Sequence, residues 1–201
     1  MKSLRVRRAS VAGLLCCAAF GTACHTSGSG GGSQGPVAAV SSAMASVGAF
    51  ALVSRRAGLR VAGTVPCPGG GSIGVTEGSN FTITPVSAST STYGGSVVAN
   101  LNGCVVSGYT MAGSWTESLN LTEGFSADHS RFTVTGFIAV PNGNISLSGS
   151  ACPVNLTNTL TLTVTSNTFS PTTVSGSIAY NGSVCGSSNS GSCSLLDSSC
   201  Q

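Results

Sequence analysis

Three groups of side chains carry residue types that do chemistry. Asp128, His129 and Ser130 together hold the acid, base and nucleophile of a hydrolytic triad. They are consecutive, and neighbouring side chains on an extended chain point apart, so the three do not converge. No Gly-x-Ser-x-Gly turn with a following acid and His supplies another route. Glu117 and Glu123 are the next candidates, as a paired acid and base. Glu117 shares the parity of Trp115 and Leu119, so it faces inward. A buried carboxylate needs a partner, and Arg55, Arg56 or Arg131 could form a structural ion pair with it. Glu123 falls in residues 122–130, which read as a loop. Pro68–Gly71 precede Ser72, but no Gly-Lys-Ser/Thr follows, so the stretch is not a phosphate loop. The sequence therefore predicts no catalytic residue, no metal ligand and no cofactor, which points to a non-enzymatic role.

The cysteines form the third group. There are nine, of which Cys16, Cys17 and Cys24 lie at the N-terminus. Cys67, Cys104, Cys152, Cys185, Cys193 and Cys200 remain. An even set in an exported chain reads as three disulfides, and many connectivities are open. Pairing neighbours in the chain gives Cys67–Cys104, Cys152–Cys185 and Cys193–Cys200. No pair has CxxC spacing and the chain holds only two His, which argues against zinc.

The N-terminus has the layout of a secretory signal. Met1 to Arg8 is basic, Ala9 to Phe20 is apolar but short of a membrane span, and Gly21, Thr22 and Ala23 are small. Gly21-Thr22-Ala23-Cys24 resembles the lipobox of bacterial lipoproteins, with Gly21 where that pattern usually has Leu. The resemblance covers the first 24 residues. It implies that Cys24 becomes the first mature residue, carries the lipid (palmitate among its acyl chains) and anchors the protein to a membrane. His25 in place of Asp implies the outer membrane, by the enterobacterial sorting pattern. The alternative is cleavage after Ala23 and a soluble secreted protein. Residues 24–36 then read as anchor and flexible Gly/Ser tether.

Beyond the signal the chain is nearly uncharged. Charged residues are 6% of the whole, and Gly is 28 of 201. After the first eight positions, Arg55, Arg56, Arg60 and Arg131 face Glu77, Glu117, Glu123, Asp128 and Asp197, a net −1. Such a body has no electrostatic footprint for nucleic acid.

The elements that must position these groups follow from periodicity. Val37, Val40, Met44, Val47 and Ala51 recur at helical steps in an Ala-rich run, predicting a helix over 37–54 with Gly58 past its end. With so little charge around it, this helix is expected to be covered on more than one side. From residue 60 the pattern turns to strands: 60–65, 72–76, 81–86, 96–106, 109–121, 131–140, 144–151, 159–165 and 173–181. Asn142-Gly143 is the strongest hairpin signal and sets Val140 against Ile145, Ile138 against Leu147 and Gly136 against Gly149. A turn near Phe169 sets Val164 against Val174, Leu162 against Gly176 and Leu160 against Ile178. Asn158 then starts its strand opposite Tyr180.

Gly103, Gly113, Gly136, Gly149 and Gly176 have inward parity and predict a stripe where the sheet curls closely around the helix. Thr157, Thr159, Thr161, Thr163 and Thr165 form an outward row, with shorter ones at Thr133 and Thr135 and at Thr82 and Thr84. These rows resemble the Thr-x-Thr arrays of ice-binding proteins, though the long row is confined to one strand.

The expected architecture is α+β: a curved antiparallel β-meander of about eight or nine strands packed on one N-terminal helix. Its domain spans 37–185, and 186–201 is a Ser/Gly-rich tail held by cysteines. The expected function is that of a cell-envelope lipoprotein with a structural or binding role at the surface. Two alternatives stand beside it. One is a carrier holding an apolar ligand in the concave face, with the helix as plug. The other is surface or ice binding by the Thr face.

Overall fold

The computed structural model describes residues 35–194, apart from 57, 129, 168 and 169. The signal region, Cys24 and Cys200 lie outside the described residues. Helix α1 (Pro36–Arg56) opens on a proline, which suits the first helical position because its missing N–H has no helical partner there. It ends where Gly58 takes φ 74°. Gly58 N–H donates to Arg55 O and Leu59 N–H to Ser54 O, both at 3.0 Å, closing the last turn in a Schellman motif.

Nine strands follow: β1 (Ala62–Pro66), β2 (Ser72–Glu77), β3 (Thr82–Ser87), β4 (Thr90–Val106), β5 (Tyr109–Phe125), β6 (Arg131–Leu147), β7 (Ser150–Asn167), β8 (Ser170–Val184) and β9 (Ser187–Ser194). They make one antiparallel sheet in the order β1-β2-β4-β5-β6-β7-β8-β9. Strand β3 lies end to end with β2 along the same edge of β4. The architecture is the expected α+β meander on one helix. The sheet is open, and α1 touches β1, β2 and every strand from β4 to β8.

The helix is the core of the fold. Every residue from 36 to 55 is buried or half-buried. By length and composition Pro36–Arg55 could cross a membrane, but here the sheet covers it. Val40, Met44, Val47 and Ala51 are fully enclosed by the inner rows of the sheet, among them Val97, Met111, Ile138 and Leu156.

Several elements differ from the sequence reading. Residues 131–147 form one strand, and Asn142-Gly143 lies at a bulge inside it, with Pro141 and Asn142 out of register and Gly143 paired with Val154, rather than at a hairpin turn. The residues flanking a two-residue turn exchange two backbone hydrogen bonds. Pro141 would be one of them, and it has no N–H to give. The chain turns instead at Ser148-Gly149, where both φ are positive (49° and 88°) and Leu147 pairs with Ser150. Ser107-Gly108 and Cys185-Gly186 turn in the same way. Strand β7 starts at Ser150, so Asn158 lies in its middle. The pairing of β7 with β8 is the expected one: Val164 with Val174, Leu162 with Gly176, Leu160 with Ile178 and Asn158 with Tyr180. The first half of the Ser/Gly-rich tail is itself a strand, β9, because β8 offers it a free backbone edge.

The inner glycines curl the sheet by another route than close approach of the helix. At Gly136 and Gly176, φ is 136° and 142°, and an added Cβ would run into Asn120 O or Thr161 O of the adjacent strand. These are strand kinks, the device by which a sheet bends out of plane. Gly103 and Gly149 sit at a bulge and a turn and are exposed. Close approach to the helix happens at Gly48 of α1, where a Cβ would meet Ile138.

Candidate functional site

Strand β5 brings two carboxylates into the apolar interior. Glu117 is fully buried and Glu123 nearly so. Glu123 lies on the strand rather than in a loop, continuing the inward row of Trp115, Glu117, Leu119 and Leu121. The Tyr93 hydroxyl donates to Glu123 Oε2 at 2.7 Å. Trp115 Nε1–H donates to Glu117 Oε1 at 2.8 Å, while Glu117 Oε2 meets no hydrogen-bonding group among the described residues. Burial raises the Glu117 pKa well above the ordinary carboxylate range, and the Trp115 bond offsets part of this. The structural ion pair expected for Glu117 is absent among the described residues. Arg55 goes instead to Glu77 at 3.5 Å and lies over the Phe81 ring at 5.3 Å from its centre. Six residues separate Glu117 from Glu123 on one extended strand, about 20 Å at ~3.4 Å per residue. Paired hydrolytic carboxylates stand roughly 5 to 9.5 Å apart, so these two do not act on one bond.

Asp128 is held by its own turn. Ser126 Oγ donates to its Oδ1 at 2.6 Å and Ser130 N–H to the same oxygen at 3.1 Å. Hydrogen bonding from the Ser126 hydroxyl first, then from the Ser130 side chain and the Ser130 amide, holds its carboxyl below the usual range. Ser130 is engaged with Asp128 through both its amide and its side chain, and His129 lies outside the described residues.

Asn158 is the interior polar group that sequence reasoning misplaced. It is fully buried in β7. Its Oδ1 accepts from Ser41 Oγ and its Nδ2 donates to Ser41 O, each at 2.9 Å. One amide thus ties the helix to the sheet through both its donor and its acceptor, with its polar atoms satisfied as burial demands. The signal was present: a single Asn breaking an alternating row at an inward position.

Two disulfides close the fold as expected, Cys67–Cys104 and Cys152–Cys185. They fit an oxidising compartment and hence export. Of the third pair, Cys200 lies outside the described residues.

The outward face has a regularity that one strand alone does not show. Strand registers set Thr84, Thr92, Thr122, Thr135, Thr161 and Ser177 side by side in one row. Neighbouring strands lie ~4.8 Å apart, so the row runs for about 24 Å. A second row sets Thr90, Gly124, Thr133, Thr163 and Ser175 beside it. On the other side a third passes through Asn120, Phe137, Thr159 and Ala179, and a fourth through Ser118, Ala139, Thr157 and Asn181. None of these four rows contains a charged residue. The Thr array therefore crosses β3 to β8 and is not confined to β7. Phe137, 41% exposed, is the one aromatic among the exposed large apolar side chains of the described residues. Its outward parity with Thr133 and Thr135 was the sequence signal for it.

Comparison with protein-family models, curated proteins and solved structures found no match to this chain.

Proposed function

We propose that this chain is a non-enzymatic binding domain of the cell envelope, anchored through lipid at Cys24, with the convex face of its sheet as the working surface. The observation that supports this reading most is the set of uncharged hydroxyl rows in register across β3 to β8. A lipid-facing sheet carries an apolar band outward, and here the outward rows are mostly Thr, Ser and Asn, with Phe137 their one large apolar side chain, the composition of a face in water. The carrier reading gains less support, because α1 fills the concave side with Val40, Met44 and Val47 and leaves no room for a Cβ at Gly48. The buried carboxylates on β5 pair with Trp115 and Tyr93 inside that packing and serve the fold rather than a reaction.

Mass spectrometry of the mature N-terminus, with fractionation of cells carrying Cys24→Ser, tests the anchor. Diacylated or triacylated Cys24 and release of the variant from the membrane fraction are the expected results. An unmodified Cys24 on a protein that stays in the soluble fraction overturns the anchored reading.

A further inference from the structure

We infer that the outward face around Phe137 binds a neutral polysaccharide. This rests on the convex face being the working surface and names what that surface takes.

Phe137 is the one bulky apolar side chain on the four rows, whose other residues are Thr, Ser, Asn, Ala and Gly. In register it lies between Asn120 and Thr159, and along its own strand it is flanked by Thr135 and Ala139. An outward Phe adds nothing to the core. Its ring is an apolar platform in a field of hydrogen-bonding groups, the composition of an interface anchor. A pyranose ring has the matching make-up: C–H bonds on one face, hydroxyls around the rim. Stacked on Phe137, such a ring puts its hydroxyls among Asn120, Thr135, Thr159 and Thr161, which offer both donors and acceptors.

Charge selects among polymers. The four rows hold no Lys or Arg, and the one cation beside them, Arg131, lies six positions along β6 from Phe137, about 20 Å at ~3.4 Å per residue, so an acidic glycan, a nucleic acid or an anionic lipid headgroup finds no counter-charge at the ring. An uncharged glycan needs none. The rows also bear on ice. A crystal plane requires a flat, even lattice, whereas β6 kinks at Gly136 (φ 136°) and the next side chain is a bulky ring. A glycan chain is flexible enough to follow that relief.

The test is co-sedimentation of the full chain in neutral detergent with cellulose, chitin and cross-linked dextran. Carboxymethyl-cellulose and a growing ice front are the contrasting arms. Depletion by at least one neutral polymer is expected. Phe137→Ser should weaken that binding at least about tenfold, as loss of an aromatic anchor does. Thr161→Lys should weaken it too by placing a charge in the rows. Both variants should melt at the wild-type temperature, since neither side chain is buried. Folded protein that ignores all three neutral polymers overturns the inference, as does full binding by Phe137→Ser. Preference for the carboxymethyl polymer or for ice overturns it as well. These results are independent of the anchor: a lipidated protein that ignores glycans defeats the glycan alone, and a soluble one that binds them defeats the anchor alone.

Discussion

Glu117 is where a single side chain sets how the fold responds to pH. Its carboxyl is enclosed beside Trp115, and burial raises its pKa well above its ordinary value of 4.5. In the unfolded chain it loses its proton near that ordinary value; in the folded chain it keeps the proton to higher pH. Across that interval the unfolded state binds fewer protons, so stability falls as pH rises, by about 1.4 kcal/mol per pH unit. The fall begins near the unfolded pKa and levels off above the folded one; below both values the contribution is constant. Glu117→Gln keeps an oxygen for the Trp115 N–H and removes the ionisation. Urea unfolding across a pH series should then show the variant more stable than wild type above neutrality, with the decline from mildly acidic pH lost. A variant less stable at pH ~7.5, or one with the same slope, would show that Glu117 does not hold its proton in the fold.

At the scale of elements, the strands are long and the kinks are local. Gly136 and Gly176 hold backbone conformations that an L side chain rarely adopts, and both abut the carbonyl of the neighbouring strand. Gly149 shares the positive φ (88°) but has open space where a Cβ would go. Alanine at Gly149 should therefore cost only the dihedral strain, about 1–2 kcal/mol. Alanine at Gly136 or Gly176 adds a backbone clash and should cost roughly 3 kcal/mol or more. Equal costs at all three, measured by denaturant melts, would mean that the kinks are not clash-limited. The same elements show how far sequence reading reached. Leu160, Leu162 and Val164 needed partners of like parity, and one register with β8 satisfied all of them. Asn142-Gly143 misled because local turn preference was weighed without the backbone hydrogen bonds that Pro141 forbids. The Thr rows were visible on single strands, but their alignment depends on every register between β3 and β8, including the bulges in β4 and β6. Phe137 differed: its outward parity with Thr133 and Thr135 was legible on its own strand, and only its neighbours across the sheet, Asn120 and Thr159, needed the registers.

At the scale of the molecule, the disulfides act at one end. Cys104 lies two residues before the end of β4, next to the turn into β5, and Cys152 lies two residues past the start of β7 after the Ser148-Gly149 turn. Cys185 is in the β8–β9 turn, and Cys67 follows β1 beside the end of β4. All four thus gather where the tight turns are. The opposite end carries the connection from β5 to β6, while kinks occur along the strands, at Gly136 and Gly176 and also at Gly182 beside Cys185. Because the sheet is open, nothing in its own hydrogen bonding stops the flanking strands from fraying; the tethers do so at that end, and the helix does so along the middle. In the chain-entropy picture, loops spanning 37 and 33 residues are worth about 4 kcal/mol each. Reduction should therefore lower stability by several kcal/mol and act unevenly. Amide hydrogen exchange at residues 64–75, 101–106 and 150–154 should accelerate on reduction far more than at residues 131–135 or 160–164. The helix ties β7 through Asn158 and Ser41 whether or not the cysteines are bonded, so exchange in the middle of β7 should change least. Uniform acceleration along the strands would show instead that the molecule opens as one cooperative unit, with the tethers acting only on its unfolded state.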